Sequence, residues 1–116
     1  MPYFLGLDVA KDTFVAALQS EAGELLLAAT TFPNNTEGYA ALLAWLPAPA
    51  RTIGMCEPTG VYNQHLKHAL AATLQSLHEL NSQTLKRFAF TQVRTKTDQA
   101  DAVMIADAAR VLYLTK

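Results

Sequence analysis

The chain has 116 residues, a length that suits one domain with a single core rather than two domains. Its hydrophobic content of 51% is typical of a folded globular protein, and no apolar stretch approaches the length of a membrane helix, so no membrane partner is expected. The net charge of −1 argues against a protein that coats DNA non-specifically. The N-terminus lacks the positive charge and the uninterrupted apolar run of a secretory signal, and the chain has a single cysteine, Cys56. We therefore expect a cytoplasmic protein.

Five segments show the pattern of β-strands, and the first three follow one another before any helical pattern begins. The predicted strands are residues 3–9, 13–18, 25–32, 52–56 and 76–80, with a hairpin turn at residues 21–24. The predicted helices lie between Pro33 and Leu46, over about fifteen residues after Gly60, at residues 81–89, and from Thr97 or Asp98 to the C-terminus. This order is that of the ribonuclease H-like fold. We predict one α/β domain over residues 1–116, with a mixed five-stranded sheet flanked by helices.

Four carboxylates lie where the apolar pattern expects apolar or turn residues. Strict alternation in the first strand puts Asp8 on the same face as Phe4 and Gly6. Glu57 closes the fourth strand in the same way. Asp98 and Asp101 are spaced i, i+3 at the start of the last helix, and Asp101 begins the apolar stripe of that helix. The ends of the first and fourth strands are neighbours in the predicted sheet, so the four acids are expected to converge.

Carboxylates gathered at a partly buried spot repel one another and lose hydration, and a hard divalent cation is the usual compensation. The sequence therefore predicts a cage for Mg²⁺ or Mn²⁺. We assign Asp8 as the bridging ligand because it lies on the most central strand, with Glu57, Asp98 and Asp101 flanking it. The alternative is that Asp98 caps a helix and Asp8 is a turn residue at a strand end.

Basic residues collect beside the acid pair of the last helix. Residues 1–85 hold seven acidic and three basic side chains, whereas residues 86–116 hold three acidic and six basic ones. Phe88 and Phe90 are interleaved with the cations, a mixture that can follow a phosphate backbone and stack on bases. The predicted nucleic-acid contacts are Lys11, Lys86, Arg87, Arg94 and Lys96. The alternative is a solvated loop with two core phenylalanines.

Three further groups have plainer interpretations. His65 and His68, spaced i, i+3, could share a metal, but no third ligand lies near them in sequence, which favours an exposed helix face. Cys56 faces the side of its strand opposite to Glu57 and is expected to be a small buried thiol. Asp107 is expected at the surface, paired with Arg110 three residues later.

Three sequence blocks carry a resemblance to a known family. In order and spacing, Gly6–Asp12, Cys56–Tyr62 and Lys96–Ala102 resemble the N-terminal domain of the DEDD-type transposases of bacterial insertion sequences, the insertion-sequence one-ten family. All four acids fall within these blocks. The chain departs from the family at Asn63, which follows Tyr62 where an aromatic residue is frequent.

The resemblance implies a catalytic domain similar to the junction resolvase RuvC, which binds magnesium and acts on DNA strands in transposition. Full-length members of the family also have a C-terminal domain whose serine attacks DNA. They work as oligomers guided by a structured RNA. The C-terminal domain is not part of these 116 residues, so the fragment is expected to supply the metal half of the chemistry.

Other functions remain as alternatives. One is a stand-alone nuclease that resembles a junction resolvase, and another is a non-catalytic module that binds nucleic acid or assembles a complex. An actin-type ATPase shares the strand order and a first-strand Asp, but Val9-Ala10-Lys11 lacks the glycines of a phosphate loop.

Overall fold

The computed structural model describes residues 2–57, 60–79 and 98–114, and it describes residues 60, 98–101 and 114 by their backbone alone. The strands are β1 (Tyr3–Val9), β2 (Thr13–Gln19), β3 (Leu25–Pro33), β4 (Thr52–Cys56) and β5 (Ser76–Glu79). The helices are α1 (Thr36–Trp45), α2 (Gln64–Ala71) and α3 (Asp98–Leu114), with 3₁₀ turns at Pro49–Arg51 and Gly60–Asn63.

The five strands form one mixed sheet in the order β3-β2-β1-β4-β5. The first three strands are antiparallel, and β4 and β5 run parallel to β1 and β4 respectively. The predicted fold class is therefore confirmed, and so is the predicted neighbourhood of the first and fourth strands. The central strand β1 pairs on both sides, which places its carboxyl end in the middle of one sheet edge.

Local sequence signals explain most of the element boundaries. The hairpin between β2 and β3 turns at Gly23, whose φ of 89° favours glycine. Helix α1 begins after Asn35, whose side chain accepts a hydrogen bond from the Gly38 amide at 2.9 Å, and it ends before Pro47. The structure thus follows the sequence signals in this part of the chain.

The two faces of the sheet bury different side chains. Leu5, Leu7 and Cys56 belong to the core shared with α1 and α2, whereas Phe4, Ile53 and Met55 pack against Ile105 and its neighbours on α3. Strand alternation therefore assigns Asp8 to the α3 face, together with Phe4 and Gly6, as predicted. Among the described residues, no helix has both the length and the apolarity needed to cross a bilayer.

The segment after β4 differs from the prediction of one helix of about fifteen residues. It forms a 3₁₀ turn at Gly60–Asn63 followed by α2, which has only 8 residues. The physical reason is the short return to β5, which must pair with β4 from Ser76 onward. The apolar positions at helical spacing in this segment, Leu66, Leu70 and Leu74, are all buried. The predicted helix at residues 81–89 and the loop at residues 90–97 lie outside the described residues.

Candidate metal centre at the ends of two parallel strands

Asp8 and Glu57 lie side by side at one edge of the sheet. Leu7 pairs with Cys56 in the parallel register of β1 and β4, and each acid is the residue that follows. By strand alternation, Asp8 lies on the α3 face with Phe4, and Glu57 lies on it with Met55. Both acids are half-buried. A half-buried carboxylate pair retains enough water access for a ligand while its charges are poorly screened.

Helix α3 crosses this same face with very close backbone contact. A Cβ atom added to Gly6 would lie 2.0 Å from the Ala102 carbonyl oxygen and 2.3 Å from the Ala106 nitrogen. Only glycine lets the helix backbone approach the strand so closely. Since Gly6 is two residues from Asp8, the first turns of α3 lie over the part of β1 that carries the acid.

The other two predicted ligands are on those first turns. Asp98 is the first residue of α3, and Asp101 immediately precedes Ala102, whose backbone lies over Gly6. The backbone therefore brings the three elements that carry the four acids together at the carboxyl ends of β1 and β4, in the middle of one sheet edge. The side chains of Asp98 and Asp101 lie outside the described residues. Among the side chains that are described, no group of three His, Cys, Asp or Glu residues is arranged to hold a metal.

The buried side chain of Asn63 stabilises the turn after β4 through hydrogen bonds. Its side chain is 1% exposed, and its amide donates hydrogen bonds to the Glu57 carbonyl oxygen at 3.2 Å and to Glu79 Oε2 at 3.1 Å. The bond from Asn63 and a 3.2 Å ion pair with Lys67 lower the pKa of the Glu79 carboxyl. The sequence drew attention to Asn63 only as a departure from the family pattern. The structure gives it a role in holding the backbone of Glu57.

Cys56 is buried behind Glu57, as predicted, and is fully shielded from solvent. Burial raises the pKa of its thiol from 9.0 to about 11, with smaller opposing effects from Asn63 and Lys67. Within the described residues, its position on the α1–α2 face separates it from the carboxylate pair.

This pKa shift predicts a loss of stability at high pH. Below pH 9 the thiol is neutral in both the folded and the unfolded chain, so its contribution to the free energy of unfolding is fully present. Between pH 9 and about pH 11 only the unfolded chain ionises, which costs roughly 1.4 kcal/mol per pH unit. Denaturant unfolding of the wild type and of Cys56→Ala should show a shallower decline for the variant between pH 9 and pH 10.5. Equal declines would contradict this assignment.

The remaining candidates are dispersed. Lys11 is exposed in the turn after β1, three residues after Asp8. The other four predicted cations lie outside the described residues: Lys86, Arg87, Arg94 and Lys96. His65 and His68 are exposed and line a groove of about 360 Å³ between α1 and α2, on the face of the sheet opposite to Asp8. Asp107 and Arg110 form the predicted ion pair, at 2.7 Å, but both are partly buried rather than at the open surface.

Comparisons with known proteins bear on the family and on the fold of this chain. The sequence profile of a transposase family, the DEDD transposases of the IS110 type, matches residues 5–115. The pilin gene-inverting proteins of Moraxella lacunata and Moraxella bovis are each 29% identical over 108 residues, which is 89% of this chain and 33% of theirs. The chain thus spans about a third of the length of these relatives.

A solved structure matches the fold over almost its whole length. RuvC from T. thermophilus, in complex with a Holliday junction substrate, superposes with a TM-score of 0.61 at 11% identity, covering 98% of this chain and 96% of RuvC. At this identity the match speaks for the fold alone, which is the RuvC-like form of the ribonuclease H fold. The family match covers nearly every residue and includes the strand and helix positions of all four acids. The chain therefore belongs to the DEDD transposase family of the IS110 type.

Proposed function

We propose that this chain is the catalytic domain of a DNA transposase and that Asp8, Glu57, Asp98 and Asp101 hold divalent metal for strand cleavage and transfer. The observation that carries the proposal is the meeting of β1, β4 and α3 at the carboxyl ends of the two central parallel strands. Asp8 and Glu57 sit on adjacent strands there, and α3 approaches within backbone contact at Gly6.

The donor set fits a hard cation. All four residues offer carboxylate oxygens, the ligands that Mg²⁺ and Mn²⁺ prefer, and the two whose side chains are described are half-buried. When bound, such cations would supply Lewis-acid chemistry for displacement at phosphorus, and Asp8, Glu57, Asp98 and Asp101 would hold them. The chain itself contributes rigidity, because Asp8 is held in the central strand and Asn63 holds the Glu57 backbone.

DNA is the proposed substrate. One relative is named as a pilin gene-inverting protein, and the structural neighbour is bound to a Holliday junction. Both descriptions involve DNA. Lys11, and the cations Lys86, Arg87, Arg94 and Lys96, are proposed to contact the phosphate backbone near the metal. From the family resemblance we also propose a structured guide RNA as a partner, assembly into a homo-oligomer, and a location in a bacterial cytoplasm.

A second candidate function is junction cleavage by this domain alone. It is favoured by the extent of the fold match, since 96% of the RuvC chain has an equivalent here. The two functions share the metal site and differ in the fate of the cut strand, which is hydrolysed in one case and transferred in the other.

Metal binding is the first test. Addition of Mn²⁺ at about one hundred times its Kd is expected to stabilise the fold by about 2.7 kcal/mol, or roughly 10 °C in Tm for a domain of this size. The double variant Asp8→Asn, Glu57→Gln should lose this response. The Tm can be followed by circular dichroism with Mn²⁺, Mg²⁺ or a chelator.

The matched control is Asp12→Asn, which removes an exposed carboxylate from the turn after β1. Its Mn²⁺ response should equal that of the wild type. An undiminished response in the double variant would remove the cage, and with it the proposed catalytic role, from consideration.

A further inference from the structure

Asn34 joins three parts of the chain that are distant in sequence. It follows β3, and its side-chain amide donates to the Ala10 carbonyl oxygen at 2.8 Å and to the Tyr62 carbonyl oxygen at 2.9 Å, with a longer contact of 3.4 Å to the carbonyl of Lys11. Its backbone N–H donates to the Asp12 carbonyl oxygen at 2.9 Å. Both amide hydrogens of one side chain are therefore used to bind two different loops.

The two loops are those that leave the carboxylate pair. Ala10 is two residues after Asp8, and Tyr62 lies in the 3₁₀ turn that follows Glu57. The next residue, Asn63, returns a hydrogen bond to the Glu57 carbonyl oxygen. A continuous path of hydrogen bonds thus runs from the loop after Asp8 through Asn34 and the Tyr62–Asn63 pair to Glu57.

A hydrogen bond from α1 fixes the orientation of the Asn34 side-chain amide. The Tyr39 hydroxyl of α1 donates to Asn34 Oδ1, and Tyr39 is 7% exposed and stacks on Phe14 at a ring distance of 6.0 Å. Burial raises the pKa of Tyr39, so its hydroxyl stays a donor to a higher pH than that of an exposed tyrosine. Because Oδ1 is occupied by a donor, the amide nitrogen must face the two loop carbonyls.

We propose that Asn34 is a positioning residue for the metal site: it clamps the loop after Asp8 to the turn after Glu57 and so sets the separation of the two carboxylate-bearing strand ends. The inference deepens the proposed function and rests on it for the metal part. Asn34 touches neither carboxylate in the described contacts, and it acts through the backbone of the loops.

The test compares two neighbouring asparagines that differ in what they bind. Asn34→Asp keeps the size and the acceptor for Tyr39 but removes both donors to the loop carbonyls. Asn35→Asp adds the same charge one residue away and keeps its function, because Asn35 caps α1 as an acceptor and Asp caps equally well. Mn²⁺ affinity of the 116-residue chain is measured by the electron paramagnetic resonance signal of free Mn²⁺, well below the Tm of each variant.

Asn34→Asp is expected to weaken Mn²⁺ binding by about tenfold or more, the usual effect of losing a residue that orients metal ligands. Asn35→Asp should bind at least as tightly as the wild type. An added negative charge by itself would strengthen the binding of a cation. Weaker Mn²⁺ binding in Asn34→Asp would therefore reflect the lost hydrogen bonds and not the added charge. Wild-type affinity in Asn34→Asp would overturn the proposal.

A second measurement without metal separates this inference from the proposed function. Hydrogen exchange of peptides that cover residues 9–13 and 60–63 should accelerate together in Asn34→Asp, by roughly tenfold for the two hydrogen bonds lost, and should not change in Asn35→Asp. If the wild type binds no Mn²⁺, the proposed function fails while joint acceleration of the loops still supports the clamp. If exchange in the two loops is unaltered, the clamp is wrong whatever the metal result.

Discussion

Replacing Gly6 by alanine is expected to destabilise the fold by about 3 kcal/mol, a large part of the stability of a small domain. The added Cβ would meet the Ala102 carbonyl oxygen at 2.0 Å and the Ala106 nitrogen at 2.3 Å, and both are backbone atoms of a helix that cannot rotate away. The helix must therefore move as a body and give up packing against β1 and β4. Urea unfolding of the variant measures the loss.

Gly54→Ala is the matched control for this effect. Gly54 lies in the neighbouring strand, where an added Cβ would meet Leu77 Cδ1 at 2.8 Å and Leu74 Cδ1 at 3.2 Å, the ends of flexible side chains. Those groups can shift, so the expected cost is about 1 kcal/mol. The Gly6 variant should also lose more Mn²⁺ affinity than the Gly54 variant, since α3 carries Asp98 and Asp101. Equal losses of unfolding free energy in the two variants would show that the α3 backbone at Gly6 moves aside as easily as the leucine side chains at Gly54.

Under the proposed function, metal-dependent nicking of junction DNA is expected to fall by about 10³-fold or more in Asp8→Asn. Metal ions contribute several kcal/mol of transition-state stabilisation, and each 1.36 kcal/mol is a factor of ten in rate. The substitution removes the proposed central ligand while it preserves the size of the side chain. Nicking of a labelled four-way junction in Mn²⁺ is compared for the wild type, Asp8→Asn and the control Asp12→Asn. A variant that cuts at the wild-type rate would exclude Asp8 from the site.

Running these reactions on a denaturing gel distinguishes nicking from strand transfer, because transfer through a serine leaves protein covalently attached to DNA. No adduct is expected from this chain. Ser20 lies at the end of antiparallel β2 and Ser76 at the start of parallel β5, so both are at the sheet edge opposite to Asp8 and Glu57. Ser82 lies outside the described residues. An adduct that disappears in Ser82→Ala would show that these 116 residues contain a nucleophile.

The placement of Asp8 illustrates what could be predicted from sequence. Alternation along one strand is a local property, so the face of Asp8 and the opposite face of Cys56 follow directly from the residue pattern. The start of α3 near Asp98 and its apolar stripe are likewise local features of the sequence, and the stripe residues Ile105 and Ala108 are buried. The order of the strands required the additional rules of connection handedness and neighbour pairing.

Contacts between distant segments could not be read in this way. Asn34 and Asn35 both look like helix caps in sequence, and only the fold shows that Asn35 caps α1 while Asn34 binds loops 24 and 28 residues away. The length of the helix after Glu57 was overestimated for a related reason. Its apolar face continues to Leu74, but the pairing of β5 with β4 ends α2 at Ala71.

The register of β1 also has a consequence for how this family can vary in length. Phe4, Gly6 and Asp8 must all face α3, so they occupy positions of the same parity along the strand. Loss or gain of one residue among them would send either the acid or its packing partners to the opposite face. The hairpin at Ser20–Glu24 carries no such requirement, because it lies at the other edge of the sheet. Insertions and deletions among relatives should therefore accumulate at that hairpin and be absent from the five residues that end at Asp8.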